Sequence, residues 1–537
     1  MAERDAIGVP MTVGPAPPSS PVRGLTLDAL VRQHARSRPD ALAAAGEHTT
    51  AGWSQLAERV EQVSGALAAA GVGPGDRVVW LGQGSDRVLE LLLGCARRRA
   101  ILCPGNWRLA PPEVAFLVDD LEPVLVFTQR REVGDRIHAG VAAARHRPRV
   151  LVHDDDTGAR LDAYEDWVAR AGRGGDEERP EPDDPVVAFA TAAVDGRPAA
   201  ACLSHRALIA QALLMGPWMG VGPEHRFLAA GPLFHVGVWM EAWATFVAGG
   251  ATVFARRNDG AALCRLIERH RCTGGYLFGP MVEGIVEANA DGRFDLSSLR
   301  GRRGHPVFDA WVGEDPSPWG RRPGGYGQTE LTGMATFNLL TAPGEQGSHG
   351  RPSPLLEVRV VDPEGGEAPV GDTGEIVARG LTVTEGYWRR PERNAARTAG
   401  GWWHTGDLGR YERDGTFSFV GPRTRMLKTG AENVYPAEVE AVLRAHPAVA
   451  DAVVFGVPDD RFVQRVVALV EPRAGTEPPS VAELLGHCRE RLAGYKCPRE
   501  VTVVSGLPRA ADGRVDRDEV DRRHGGGGYP GGQVRSV

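Results

Sequence analysis

The sequence predicts an α/β protein with a large N-terminal domain of parallel α/β sheets plus a small β-barrel-like region, followed by a small mobile α+β C-terminal domain. Three observations lead there. From residue 77 to residue 255, short apolar runs alternate with amphipathic helical stretches, as in βαβ units that build a largely parallel sheet covered on both faces. From residue 347 to 420 the pattern shifts to period-two alternation interrupted by tight turns, as in antiparallel strands. The polar break Gly421-Pro422-Arg423-Thr424-Arg425 then separates this region from a segment with its own apolar pattern, which marks 421–425 as a hinge. At 537 residues the chain exceeds what a single core supports, so a division into domains over 24–420 and 426–523 is expected.

Taken in order, residues 1–23 mix charge, proline and serine without an apolar stretch and read as a flexible lead, not a secretory signal. Residues 26–71 hold two helical patterns; in the clearer, 55–70, Leu56, Val60, Val63 and Leu67 share one face. A strand at 77–81, a helix at 86–98 and a strand at 100–104 make one βαβ unit. Strands recur at 124–128, 150–153, 186–190, 227–230 and 251–255, with helical segments between them. Asp414-Gly415 marks a tight hairpin whose second strand is 416–420. Beyond the hinge, a helix at 437–446, strands at 449–455 and 465–470, and a helix at 481–492 make the small domain. Residues 524–537 form a glycine-rich tail with no packing capacity.

Composition narrows the class of partner. Hydrophobic residues at 42% and charged residues at 24% are ordinary for a globular chain, and a net charge of −7 gives no electrostatic reason to expect nucleic acid. No run of about 18 apolar residues occurs, so no stable membrane insertion is expected. The seven cysteines lack metal-ligand spacing and read as reduced, buried residues of a cytoplasmic protein.

The stretch from Val186 to Leu208 reads as a strand, a loop containing Gly196 and Pro198, and a helix starting near Ser204, an arrangement suited to phosphate. Its residues Thr191, Gly196, Arg197, Pro198, Leu203, Ser204 and His205 resemble the pattern of the adenylate-forming superfamily, T-S-G-T-T-G-x-P-K followed by a short strand and L-S-H; that superfamily contains acyl-CoA synthetases, nonribosomal adenylation domains and luciferases. Ala192, Ala193 and Val194 replace hydroxyl and glycine residues of that pattern, Ala199 stands in place of its lysine, and Asp195 adds a negative charge. Each charge-assisted hydrogen bond lost there weakens triphosphate binding by roughly 1.5–3 kcal/mol.

The resemblance continues along the chain. Pro232-Leu233-Phe234-His235-Val236-Gly237 matches P-L-F-H-x-G, which implies an acyl pocket at His235 and, after the helix at 263–271 and the strand within 273–280, at Gly279. Tyr326-Gly327-Gln328-Thr329-Glu330 matches Y-G-x-T-E in full: a glycine turn admits the nucleotide, Thr329 meets the α-phosphate, and Glu330 supplies a carboxylate for Mg²⁺. Thr405-Gly406-Asp407 implies a carboxylate that accepts hydrogen bonds from the ribose hydroxyls. Pro422 occupies the place of the hinge arginine, and Arg423 beside it is read as the substitute. Lys428 and Gly430, in a K-S-G-G-E-N-V-Y-P-like stretch, and Lys496, in a Y-K-x-P-like stretch, belong to the thiol side. Arg514 takes the position of the catalytic lysine, with a planar guanidinium in place of a compact ammonium.

The resemblance implies an ATP-dependent acid:thiol ligase of fatty acid or secondary metabolism. Thr329, Glu330 and Arg514 would be catalytic, with Thr191, Gly196, Tyr326, Gly327, Gln328, Thr329, Asp407 and Arg423 around the nucleotide. ATP, Mg²⁺ and CoA, or a phosphopantetheine carrier, would be the cofactors, and a small carboxylic acid with CoA or an acyl carrier protein the partners. The departures leave open an altered chemistry, such as the acyl-AMP-to-thioester half alone or another oxyacid or nucleophile. They also leave open an accessory protein that binds acyl groups or nucleotides with little catalysis.

Overall fold

The computed structural model describes residues 24–526 apart from 48, 154–163, 173–178, 192–197 and 431. The lead at 1–23, Asp195 and Gly196 of the loop, and the tail from 527 lie outside the described residues.

The βαβ pattern divides between two sheets. In the first, strands run in the order Gly386–Tyr387, Ala199–Ser204, Pro185–Thr191, Ile101–Pro104, Arg77–Leu81, Leu125–Gln129 and Arg149–His153. The last five are mutually parallel, while the first two add antiparallel. The second sheet is Gly274–Gly275, Arg226–Ala229, Ala251–Phe254, Leu42–Ala45 and Thr50–Gly52. A repeat of strand and helix cannot tell which sheet a strand joins, because the same apolar run satisfies either.

Helix Asp86–Arg97 shows why the two sheets share a core. Its residues from Val88 to Ala96 are all buried, Glu90 among them with Arg59 and Tyr164 as partners, and it packs on strands of both sheets; a helix buried on every side belongs between layers. Gly94 lets it approach helix Trp53–Ala69, since a Cβ there would stand 2.7 Å from Val63 Cγ1.

The alternating region forms a four-stranded antiparallel sheet, Leu356–Val361, Gly374–Gly380, Trp403–Tyr411 and Phe417–Pro422, paired in that order. Its strand Phe417–Pro422 extends through the expected hinge residues Gly421 and Pro422, and Asp407 pairs with Pro422. The small domain has the expected α+β form: strands Leu427–Thr429, Glu432–Val434, Val449–Asp459, Val463–Pro472 and Glu500–Val503, with helices Pro436–Arg444 and Val481–Arg491 over a core of its own.

The short strand expected after the loop is Ala199–Ser204, antiparallel to Pro185–Thr191, and helix His205–Trp218 starts beside Ser204 as expected. Its N-terminus therefore sits a strand's length from the loop. The strand expected within 273–280 is only Gly274–Gly275, and helix Gly279–Ala288 follows. All seven cysteines are buried and unpaired. No described helix is long and apolar enough to cross a membrane.

Candidate active site

A cavity of about 1100 Å³ opens where the small domain docks on the large one. One wall is the turn after Gly325. Tyr326 is buried with its ring stacked on Phe419, centroids 5.2 Å apart, and its hydroxyl donates to Asp407 Oδ2 at 2.7 Å. Gln328, two residues on and so on the same side of the extended chain, donates from Nε2 to Tyr326 Oη (3.0 Å) and to Asp407 Oδ2 (3.1 Å). Gly327 pairs with Met334, and a Cβ at 327 would lie 2.1 Å from the Gly333 carbonyl oxygen. Backbone on both sides leaves room for glycine alone.

Asp407 enters from strand Trp403–Tyr411, just after Gly406, whose φ of +75° aims the chain into the cavity. Burial pushes its carboxyl up to about 6; the Tyr326 hydrogen bond draws it back, and the charge of Glu330 adds to the rise. Its Oδ1 receives no protein donor among the described residues.

Thr329 and Glu330 begin a single 3₁₀ turn, Thr329–Leu331. Thr329 lines the cavity, and Glu330 is buried with Oε1 accepting from the Tyr387 hydroxyl at 2.7 Å. Thr191 and Pro198 bring the two ends of the phosphate loop to the same cavity. Ala199, in the pattern's lysine position, is 2% exposed and packs in a cluster with Tyr326 and Tyr387.

His235 caps helix Val236–Ala248, lines the cavity, and points Nε2 at Glu432 Oε1, 3.0 Å away in the small domain. Arg108 also pairs with Glu432. Burial alone would raise the Glu432 carboxyl, but His235 and Arg108 outweigh it and hold the group below its ordinary range. Lys428 lines the cavity and donates to Asn433 Oδ1 at 3.1 Å; burial lowers its ammonium.

Lys496 lines the cavity where the two domains meet. Its Nζ donates to Glu113 Oε1 of the large domain (2.7 Å) and Glu438 Oε1 of the small domain (2.5 Å). Burial works against its charge, yet Tyr495, Glu113 and Glu438 carry it upward. Beyond Lys496 the cavity continues between helix Pro111–Leu121 and the small-domain helices, past Phe116, Val442 and Arg491.

Four expected site residues stand apart. Arg514 is exposed beside Asp512, at 3.6 Å, and does not line the cavity. Arg423 pairs with Glu375 at 3.3 Å, outside the cavity. Gly430 forms an exposed turn with φ +61°, and Gly279 opens an exposed helix end while its neighbour Phe278 faces the cavity. Conversely, the structure adds Tyr387, Arg397, Glu432 and Glu113. Arg397 lines the cavity, donates to the His404 carbonyl at 2.7 Å, and its charge favours the ionised form of Asp407. In the sequence it is one arginine in an exposed, arginine-rich helix, and nothing sets it apart.

A magnesium ion held mainly through substrate phosphates needs only one or two protein carboxylates. Glu330, with Oε2 free of protein donors among the described residues, fits that need.

Comparison with known proteins gives the family. Residues 31–388 match the AMP-binding enzyme family, and residues 438–514 match the AMP-binding enzyme C-terminal domain. A feruloyl-CoA synthase of an Amycolatopsis species is 34% identical over 504 residues, covering 92% of this chain and 98% of that protein. An indoleacetate–CoA ligase of Aromatoleum aromaticum is 31% identical over 520 residues, covering 92% and 98%. Among solved structures, the amide bond synthetase of Marinactinospora thermotolerans superposes with a TM-score of 0.74 at 25% identity, covering 93% and 99%. The o-succinylbenzoate CoA synthetase of Bacillus subtilis, a double mutant with a product analogue, gives 0.75 at 24% identity, covering 92% and 98%, and shows the fold.

Proposed function

We propose, from the premise that this chain belongs to the AMP-binding enzyme family, that it is an ATP-dependent acid:thiol ligase that joins a small carboxylic acid to CoA or to a carrier-protein thiol through an acyl-adenylate. The observation that carries the proposal is a single cavity holding Asp407 with its Tyr326–Gln328 brace, Thr329 and Glu330, and running on between the domains past Lys496.

In this reading Asp407 accepts hydrogen bonds from the ribose hydroxyls through Oδ1, while Tyr326 and Gln328 fix Oδ2 and keep the carboxylate from rotating. The Thr329 hydroxyl donates to the α-phosphate. Glu330, oriented by Tyr387, is the residue that would hold Mg²⁺, an ion that neutralises charge on the phosphates when bound. The acid carboxylate attacks the α-phosphorus, the bond to pyrophosphate breaks, and acyl-AMP forms. A thiolate then attacks the acyl carbon and AMP leaves.

The docked arrangement suits the second step: Glu432, Lys428 and Lys496 face the cavity, the passage past Phe116 and Arg491 has room for a thiol-bearing arm, and Arg514 is turned to solvent. The first step then requires the small domain to swing about 421–425 and bring Arg514 to the phosphate. The ion pairs flanking that stretch support the hinge: Arg423 binds Glu375 of the large domain, and Arg425 binds Asp518 and Asp521 of the small one. Arg514 for lysine and Ala199 for lysine are the two places where adenylation is weakened in this reading.

The test is acid-dependent release of pyrophosphate over a broad panel of acids, with titration of ATP·Mg²⁺ and of a non-hydrolysable acyl-AMP. Release that falls in Glu330→Ala supports the reading. Binding of acyl-AMP without any ATP binding restricts the protein to the second half-reaction, and binding of neither overturns the ligase reading.

A further inference from the structure

We infer that a second cavity behind Tyr276 receives the far end of the acid, and that Glu241 there selects aromatic acids carrying a hydrogen-bond donor remote from the carboxyl group. The inference rests on the ligase reading above and specifies its substrate.

The second cavity has a volume of about 620 Å³ and shares Gly237 and Tyr276 with the active-site cavity, so the two meet at that tyrosine. That size suits a one- or two-ring organic molecule. Glycines make the junction. A Cβ at 231 would lie 2.5 Å from Tyr276 Cδ1, so Gly231 lets the ring lie close to the chain. A Cβ at 237 would lie 3.3 Å from the Tyr276 hydroxyl, so Gly237 leaves the way past it open.

Helix Val236–Ala248 sets the depth. His235 caps it at the active-site end, and Gly237, Met240 and Glu241 line the second cavity one helical turn along. Gly237 and Glu241 are separated by about 6 Å of helix rise. An acid with its carboxyl group near Thr329 that passes Tyr276 therefore meets Glu241 with its distal end. Met215, Met219, Met240, Leu277 and Trp319 supply polarizable, apolar walls suited to an aromatic ring.

Glu241 is held for this task. Its side chain is 18% exposed, and Oε1 lies 3.0 Å from His225 Nε2. His225 Nδ1 in turn faces the Thr273 hydroxyl at 2.9 Å, and that hydroxyl accepts from Arg226 N at 2.9 Å. These bonds set the imidazole with its proton on Nε2, donated to Glu241. Gly274 lets the carboxylate lie against the strand, since a Cβ there would be 2.2 Å from Oε1. Glu241 Oε2 has no protein donor among the described residues, and a largely buried carboxylate oxygen on the wall of a cavity seeks one.

Arg300, Arg302, Arg303 and Arg321 also line this cavity and on their own would favour a distal anion. Arg302 pairs with Glu314 at 3.1 Å, Arg303 donates to the Gly301 and Gly275 carbonyls, and all four are solvent-exposed, where charge is screened. A distal anion inside would face Glu241.

The experiment compares 4-hydroxycinnamate, cinnamate and 4-carboxycinnamate in acid-dependent pyrophosphate release, on the wild type and on Glu241→Leu, Glu241→Gln and Thr273→Val. The hydroxy acid is expected to exceed cinnamate in kcat/KM by on the order of 10²-fold, carried mainly by KM, the scale of one hydrogen bond to a charged group. That ratio should collapse toward unity in Glu241→Leu and fall part of the way in Glu241→Gln and in Thr273→Val, which acts through His225. A ratio near one in the wild type, a preference for the 4-carboxy acid, or a ratio unchanged in the folded variants overturns the inference. If other acids turn over and none of these three does, the inference falls and the ligase reading stands. If no acid gives AMP-forming turnover the inference falls, and the ligase reading falls with it when neither ATP·Mg²⁺ nor acyl-AMP binds.

Discussion

Asp407 occupies a place that works against its charge, and this makes it testable. Its carboxyl is pushed up to about 6 by burial, with the Tyr326 hydrogen bond opposing and Glu330 adding to the rise. Below pH 6 it is protonated and its capacity to accept from ribose falls, so affinity for a non-hydrolysable acyl-adenylate should drop by about tenfold per unit of acidification in calorimetric titrations. Asp407→Asn should abolish that pH dependence and bind weakly throughout. For stability, the folded state holds the proton more tightly than the unfolded chain, so stability falls as pH rises from the ordinary carboxylate range to about 6, and above that the ionised group carries its full cost. Asp407→Asn should therefore raise Tm at pH 7.5 by about 2 °C even as binding is lost. Glu330→Gln should reduce pyrophosphate release by roughly 10²–10³, the scale for removing one transition-state contact. Tyr326, Gln328, Thr329 and Glu330 were singled out together in the sequence because they belong to one short motif, and the structure puts all four on the cavity wall. Arg397, Tyr387 and Glu432 were not, because each reaches the cavity from a distant element.

At the scale of elements, the backbone around the short strand Gly327–Gln328 is the tightest constraint. Gly327→Ala would drive a methyl into the Gly333 carbonyl, and the resulting shift should destabilise the protein by about 1–3 kcal/mol in chemical denaturation. Helix Gln55–Ala70 and strand 77–81 read from periodicity lie within a residue or two of helix Trp53–Ala69 and strand Arg77–Leu81. The phosphate loop shows the limit of such reading: the short strand after it and the helix start near Ser204 were apparent, but not that this strand, Ala199–Ser204, folds back antiparallel on Pro185–Thr191 and sets the helix terminus away from the loop. His205 of the same motif is likewise structural. It is fully buried, accepts from Leu27 N at 3.1 Å, and burial lowers its imidazole to about 4, so it tethers the first helix as a neutral group.

For the whole molecule the decisive contact is Lys496 between Glu113 and Glu438. Removing the cation from a buried cluster leaves two carboxylates facing each other, which is strongly unfavourable. Lys496→Met should thus loosen the docked state, seen as faster proteolytic cleavage within 421–425 and as a lower rate of thiol transfer from preformed acyl-AMP. Arg514→Lys should act on the other half-reaction, raising acid-dependent pyrophosphate release by about tenfold without slowing thiol transfer.

The sequence by itself determined the family resemblance, the α/β class, the two-domain plan and the contiguous motifs, because those depend on local pattern and on residues adjacent in the chain. The tertiary structure alone decided which sheet each strand joins, that Arg514 and Arg423 lie outside the cavity in this docked state, and that Glu432 meets His235 and Arg108. It also decided that Glu241, His225 and Thr273 converge on one cavity behind Tyr276. The physical reason is common to all of these: a side chain's partners across a domain interface or between sheets are set by packing of distant segments, and periodicity along one segment carries no record of what will face it.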